Sequence, residues 1–360
     1  MAEKENPQRD ENFLAEESLL GADDASALPQ RLERYSKAHR RALHMGEYAA
    51  HQGEAKIQRQ LKACGHWLLF RDYYTAGKTR LYAANFCGRH LLCPLCAIRR
   101  GAKLVQAYMA KLQVVLGEQP DLKAYLVTFT VKDGENLSER YNHLTQSMKR
   151  YQNARRSYLT DRGPHVEMAK AIGCAGSYEF KRGKNSGLWH PHVHMVWLCR
   201  EKPDQAKIRR EWENVTGDSF MCDVTEFHDQ SDVVTGFLEV FKYAVKFSDL
   251  PLEDNWHGYE ILRRRRMVFS FGALYGVDVP EALTDEALDD LPYVELLFQY
   301  TRSGYTFAQR DALKGSQALY TTSSRPPEAS GATALERSAA RDGRRNPHQP
   351  DRRNGLAADG

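Results

Sequence analysis

Two short segments hold residue types able to cleave a phosphodiester. The first is His190-Pro191-His192-Val193-His194. In a strand, successive side chains alternate between faces, so His192 and His194 share one face while Val193, Met195 and Trp197 take the other. Two adjacent imidazoles can chelate one divalent cation, although the bare HxH pattern also fits a surface or core histidine pair. Glu179, near the end of the preceding predicted strand and across a turn from His192, offers a third ligand. Two histidines and a carboxylate leave coordination positions open, a set suited to Mg²⁺ or Mn²⁺ acting on a phosphate oxygen. The second segment is VVTGFLEVFKYAVKF, Val233–Phe247. At about 100° per residue, Tyr243, Lys246 and Lys242 fall within about 60° of Glu239. Phe237, Val240, Phe241, Ala244 and Val245 take the opposite arc. A tyrosine hydroxyl can attack a phosphodiester, lysines can hold phosphate or lower the phenol's pKa, and a glutamate one turn away can activate a second nucleophile. The same stripe also describes an exposed helix with i,i+4 charge pairs. Together the two segments supply a metal to polarise the phosphate and a nucleophile to attack it.

The seven cysteines form a further pattern. An odd number, with no apolar leader at the N-terminus, argues for reduced thiols in the cytoplasm. Cys87-x5-Cys93-x2-Cys96 with Cys64 upstream can close a tetrahedral thiolate Zn²⁺ site, provided residues 66–86 form a hairpin. His66 and His90 are alternative ligands, and free or redox-active thiols are the alternative reading. Cys174, Cys199 and Cys222 lie in apolar strand contexts and read as inert core residues. Thr128 and Thr130 share one face of their strand and read as sheet residues near the site rather than chemical participants.

These groups must be positioned by the rest of a 360-residue chain, 42% hydrophobic and 27% charged. A mean hydropathy of −0.63 and the lack of an apolar run near 18 residues argue against a membrane span. Arg31–Leu61 is polar with helical spacing. His66–Asp72 and Thr79–Phe86 flank Ala76-Gly77-Lys78 as a hairpin. Helices are predicted over Pro94–Leu116, Leu137–Leu159, Lys207–Val215 and Val233–Phe247, and strands over Ala124–Val131, Cys174–Phe180, Pro191–Leu198 and Phe220–Phe227. Helices mixed with hairpin-joined strands predict an α+β fold with an N-terminal Cys-rich zinc segment. The boundaries read as a disordered acidic arm (1–28), a helical, Cys-rich zinc and DNA-binding region (29–118), a catalytic domain (119–310) and a disordered Arg-rich tail (311–360). The net charge of +4 is a sum over unlike parts: residues 1–30 carry −6 and residues 331–360 carry +2, which leaves +8 for the middle 300. A basic core suits a polyanionic partner. Its densest run, Arg263-Arg264-Arg265-Arg266, is either solvated surface or a contact along a DNA backbone. Arg99 and Arg100, beside the proposed zinc knuckle, and Lys103 are candidates for the same role.

LVTFTV (126–131), HPHVH (190–194) and EVFKYAVK (239–246), in that order, resemble the three motifs of single-tyrosine plasmid rolling-circle replication initiators of the HUH endonuclease superfamily. The resemblance spans roughly Cys64 to Phe271, and FCGRHLLCPLC is similar to that family's cysteine-rich segment. It implies a central antiparallel sheet carrying the histidine pair, with the tyrosine helix packed nearby. His192 and His194 would be metal ligands and Glu179 the third. Tyr243 would nick the origin and keep the 5′-phosphate as a phosphotyrosine, Glu239 would direct water at termination, and Lys246 matches the family's lysine after the tyrosine. The implied partners are origin DNA, single-stranded or extruded as a hairpin, with a host helicase, single-strand binding protein and polymerase. HUH proteins of mobilisation or transposition are the nearest rivals, but these often pair two tyrosines in one helix, and here Glu239 stands where a second would. A non-enzymatic zinc-containing DNA-binding protein is the rival of another class. The region after Phe271 is unassigned.

Overall fold

The computed structural model describes residues 23–312, apart from 184, 243–245, 248, 289–290 and 303. The polar helical stretch forms two helices, α1 (Leu28–His51) and α2 (Ala55–Ala63), broken at Gly53 where φ is +82°, a conformation that side-chain-bearing residues rarely adopt. The expected hairpin follows as β1 (Trp67–Tyr73) and β2 (Lys78–Ala84). Next come α3 (Pro94–Glu118), β3 (Lys123–Thr130) and α4 (Leu137–Leu159). A second hairpin, β4 (Gly173–Arg182) and β5 (Trp189–Cys199), leads to α5 (Gln205–Thr216), β6 (Cys222–Glu226) and α6 (Gln230–Phe241). The described chain closes with α7 (Leu252–Leu262), β7 (Val268–Gly272), β8 (Val294–Thr301) and β9 (Gly304–Ala312).

The strands build two antiparallel sheets, ordered β6-β3-β5-β4-β7 and β2-β1-β8-β9, and helices flank them, in keeping with the α+β expectation. The histidine strand β5 is central in the five-stranded sheet. The four-stranded sheet goes beyond the sequence analysis, because the region left unassigned after Phe271 returns to the N-terminal hairpin. There β8 pairs with β1 from Trp67↔Gln299 to Asp72↔Val294.

Period-two alternation assigns the two faces of the five-stranded sheet. Val127, Phe129, Tyr178, Val193, Met195 and Trp197 join Leu144, Met148 and Tyr151 of α4 and Trp212 of α5 in the larger core, which continues into α1, β1 and the cysteine segment. The opposite face places Ala175, Val196 and Leu198 against Tyr108 and Leu112 of α3 and Phe237, Val240 and Phe241 of α6. A Cβ added at Gly101 of α3 would come within 3.3 Å of the Phe241 carbonyl oxygen, so the absent side chain lets the end of α6 approach closely. By parity this second face is also the face of Glu179, His192 and His194.

Some expectations are corrected. Of the helix foreseen over Val233–Phe247, regular helix runs to Phe241 with Lys242 as C-cap, residues 243–245 lie outside the described residues, and Lys246 N–H donates to Lys242 O at 3.0 Å. The cysteine segment is not at the N-terminus: α1 and α2 precede it. Of the acidic arm, 1–22 lie outside the described residues, but Asp23 pairs with Lys78 and Arg80 at 3.4 and 2.7 Å, and Asp24 accepts from the Ser26 backbone to start a short 3₁₀ turn, Ala25–Ala27. Two cations on β2 thus anchor the end of the arm. The tail beyond 312 also lies outside the described residues. Among the described residues no helix is long and apolar enough to cross a membrane.

Candidate functional site

The register between β4 and β5 sets Glu179 directly opposite His192 and Ser177 opposite His194. Across the other edge of β5, Thr130 opposes His192 and Thr128 opposes His194. One face therefore gathers the two imidazoles and the carboxylate within metal-ligating distance of one another. His192 Nε2 lies 2.9 Å from Glu179 Oε1, and His194 Nε2 lies 3.6 Å from Glu179 Oε2. The side chains of Glu179 and His192 are 1% and 4% exposed, so both groups sit in a low-dielectric setting where unpaired charge is costly.

Helix α6 closes this face, and its end brings further charge. Glu239 Oε1 stands 3.7 Å from His194 Nε2. The Lys246 ammonium bridges the two carboxylates, 2.7 Å from Glu239 Oε1 and 3.0 Å from Glu179 Oε2, and Lys242 also pairs with Glu239. Burial opposes charge on Glu179, but His192, Lys246 and His194 outweigh it and hold the carboxyl well below the usual carboxylate range. Burial likewise opposes the charge on Glu239, and Lys246 and Lys242 reverse it. For Lys246 burial is again the opposing effect, and Glu179 with Glu239 raises its pKa. Desolvation dominates at His194 and brings it down to about 4, so that ring is neutral at pH 7. Tyr243 lies outside the described residues.

Thr128, expected as a sheet residue near the site and no more, makes a contact that the sequence did not show. Its hydroxyl lies 3.0 Å from His194 Nδ1, and the tautomer that donates Nδ1–H to it turns an Nε2 lone pair toward the carboxylates. His194 Nε2 and His192 Nδ1 are buried without a hydrogen-bond partner. A lone pair facing carboxylate oxygens at about 3.6 Å is a repulsive arrangement that a cation between them relieves. The donor set, two imidazoles and one carboxylate with a hydroxyl behind one ring, thus fits a divalent cation. Alternation in LVTFTV put Thr128 on the right face, but its pairing with His194 needs the register. The first histidine of HPHVH is held separately, with His190 Nδ1 2.6 Å from Asp133.

The cysteine segment makes a second cluster. Hairpin β1–β2 brings its ends together, with Gly65 N–H donating to Asn85 O at 2.6 Å, and so sets Cys64 beside Cys87. Cys93 is the N-cap residue of α3, and Cys96 lies in its first turn. The sulfurs of Cys64–Cys93, Cys64–Cys96 and Cys87–Cys96 are separated by 3.5, 3.5 and 3.6 Å. Those separations exceed an S–S bond of about 2.05 Å and approach the edge, about 3.8 Å, of a tetrahedron with Zn–S of about 2.3 Å. The four sulfurs gather without His66 or His90. The Cys87 backbone N–H also points at Cys64 Sγ, 3.4 Å away. Gly65, at φ +68°, has no room for a Cβ against Leu95 and Tyr305, and the Tyr305 hydroxyl of β9 donates to its carbonyl. Cys174, Cys199 and Cys222 are buried elsewhere, and burial pushes the Cys199 thiol up to about 12.

Arg263, Arg264, Arg265 and Arg266 are exposed in the turn after α7. Arg263, Arg264 and Arg265 line a cavity of about 440 Å³ together with Lys56, Arg89 and His90 of the cysteine region. Arg89 reaches across it to the Tyr259 hydroxyl at 2.7 Å. Two basic segments far apart in sequence thus face one groove. Arg99 is corrected as a DNA contact: it is 5% exposed and donates to Asp285, Tyr35 and the Leu283 carbonyl. Arg100 donates to the Pro280 carbonyl at 3.1 Å, and Lys103 is buried.

Residues 78–295 match a protein family described as "Replication protein", a stretch that includes Glu179, His192, His194 and residues 239–246. The chain is 27% identical over 239 residues to "Protein rep" of Streptococcus pneumoniae serotype 2 (strain D39 / NCTC 7466), covering 62% of this chain and 70% of that one. It is 28% identical over 225 residues to "Protein rep" of a Bacillus species, covering 54% and 68%. No solved structure matches the chain.

Proposed function

The chain belongs to this replication protein family, and on that premise we propose that it initiates rolling-circle replication of a plasmid-like replicon by nicking one strand of its origin. The observation that carries the reading is the convergence of Glu179, His192 and His194 from paired strands with Glu239 and Lys246 from the segment above them. In this HUH-type reading, His192, His194 and Glu179 hold the catalytic cation. A Mg²⁺ or Mn²⁺ held by these three residues would supply polarisation of a phosphate oxygen of the scissile bond. The Tyr243 hydroxyl attacks that phosphorus, the P–O3′ bond breaks, a 5′-phosphotyrosine forms, and the 3′ oxygen leaves as a hydroxyl able to prime a host polymerase. The bond energy is kept in the tyrosyl ester, so no nucleotide hydrolysis is needed. Host helicase and single-strand binding protein are the implied partners.

Glu239 serves the second half of the cycle. Its carboxylate, kept ionised by Lys246 and Lys242, accepts a proton from the water that ends the reaction, so one tyrosine suffices. Lys242 and Arg263–Arg266 contact the DNA backbone, with Arg89 and Lys56 on the opposite wall of the groove. Zn²⁺ on Cys64, Cys87, Cys93 and Cys96 is structural.

The direct test incubates the protein with end-labelled origin oligonucleotide and Mn²⁺ and resolves the products on a denaturing gel. A covalent protein–DNA adduct is expected, and its absence at every metal concentration would sink the nickase reading. Glu239→Ala is expected to nick within about threefold of the parent while release of the adduct by water slows about 10²-fold or more. Loss of nicking itself would show that Glu239 acts in the first step. Thr128→Val keeps shape and removes the hydroxyl behind His194, so the Mn²⁺ midpoint of nicking is expected to rise about tenfold or more. An unchanged midpoint would remove Thr128 from the metal's support.

A further inference from the structure

The face that carries His192 and His194 continues past them to the end of the sheet. Thr130 is the last residue of β3 to pair in register, opposite His192. Beyond it the Val131 N–H donates to Pro191 O at 3.3 Å, and Gly134 bridges to Trp189. Lys132 and Asp133 therefore share the position opposite His190, the two-against-one arrangement of a β-bulge. On the other side of His190 the register sets Lys181 of β4. By alternation Lys181 and His190 lie on the face of Glu179, His192 and His194. The ring centroids of His190 and His192 are 5.5 Å apart. A row of Lys132, His190 and Lys181 thus runs alongside the row of Thr130, His192 and Glu179.

Both lysines are exposed, and among the described residues neither pairs with a carboxylate. Asp133, the carboxylate next in the chain, is engaged by His190 Nδ1 at 2.6 Å and by the Ser186 hydroxyl at 2.9 Å. Lys242 and Lys246, in contrast, are matched by Glu239 and Glu179. A phosphodiester strand brought to the proposed ligands is held by cations that are not already matched, and on this face Lys132 and Lys181 are two such. They stand two strand spacings apart, about 10 Å, on flexible four-carbon stems. We propose that Lys132 and Lys181 hold the phosphates on either side of the scissile one, so that the strand to be nicked crosses the sheet over His190. The proposal rests on the nicking reading of the adjoining site and adds the path of its substrate. Contacts of this kind go to the backbone, so they position the strand without reading its sequence.

The test measures binding of a fluorescent single-stranded origin oligonucleotide to the full chain, without metal, over a range of salt concentrations. Each phosphate contact to a single strand contributes about 0.7 to the slope of log affinity against log salt, or roughly fivefold in affinity at 0.1 M salt. Lys132→Gln and Lys181→Gln are each expected to lower the slope by about 0.7, and Lys181→Arg to keep it. Lys149→Gln is the control: Lys149 is exposed on α4, which packs on the other face of the sheet, and its loss should leave the slope as in the parent. A neutral methylphosphonate placed one position to either side of the cut should weaken the parent by the same factor and the matching variant no further. Parental slopes in folded Lys132→Gln and Lys181→Gln would overturn the proposal, as would coupling only to phosphates remote from the cut. If one variant misfolds, the other decides. Absence of an adduct in the parent is the separate failure of the nicking reading, because the salt slopes are read without cleavage.

Discussion

Tyr243→Phe is expected to abolish the covalent protein–DNA adduct and to lower nicking by about 10⁴-fold or more, the scale of losing a nucleophile. The substitution keeps the ring and removes only the attacking oxygen, so oligonucleotide affinity and metal affinity should stay within about twofold. The expectation rests on the chain around it. Lys242 and Lys246, which flank Tyr243 in sequence, both pair with Glu239, and Glu239 is 3.7 Å from His194. Lys246 also touches Glu179. A phosphodiester held at the proposed ligands Glu179, His192 and His194 would therefore lie close to Lys242 and Lys246. The informative control is His192→Ala, which should lose both nicking and metal affinity, whereas Tyr243→Phe should lose nicking alone. An adduct of undiminished intensity in Tyr243→Phe would place the nucleophile elsewhere.

The second large effect concerns stability. Cys96→Ser is expected to release the zinc and destabilise the fold by about 3–5 kcal/mol, at the upper end for single substitutions, with a melting temperature lower by roughly 10 °C. The magnitude follows from the position of the cluster. Cys64 ends α2, Cys87 follows β2, and Cys93 and Cys96 open α3, so one ion would tie three elements whose cysteines belong to the main core. Structural zinc contributes about 10–16 kcal/mol in small metal-folded domains, and here the existing core retains part of the fold after its loss. Metal analysis of the purified chain should give one zinc per chain in the parent and none in Cys96→Ser, while Cys222→Ala keeps its zinc. A parent that carries no zinc and melts like Cys96→Ser would dismiss the structural role.

Much of the candidate site was legible because a strand's period of two is exact. His192 and His194 had to share a side, and the hairpin turn put Glu179 within reach of them. The C-x-x-C spacing with an upstream cysteine marked the other cluster for a similar reason, since the ligands are local and the hairpin between them has its own turn signal. What stayed hidden depends on partners distant in sequence. Thr128 meets His194 only through the β3–β5 register. Arg99 looked like a surface cation because its partner, Asp285, lies 186 residues away. Strands β8 and β9 carry alternating residues, but nothing local says that they complete a sheet begun near residue 67.

The β1–β8 pairing sets an order of events during synthesis. The inner edge of β1 waits for a partner more than two hundred residues downstream, and at about 5–20 residues per second a ribosome needs on the order of ten to forty seconds to supply it. Tyr305, which bonds to Gly65 within the cysteine segment, arrives later still. The strands that carry Glu179, His192 and His194 are made within that interval. A nascent chain that already holds its histidines and glutamates therefore lacks the finished sheet around its cysteines, and among the described residues the strands translated last are those that lock the first ones in place.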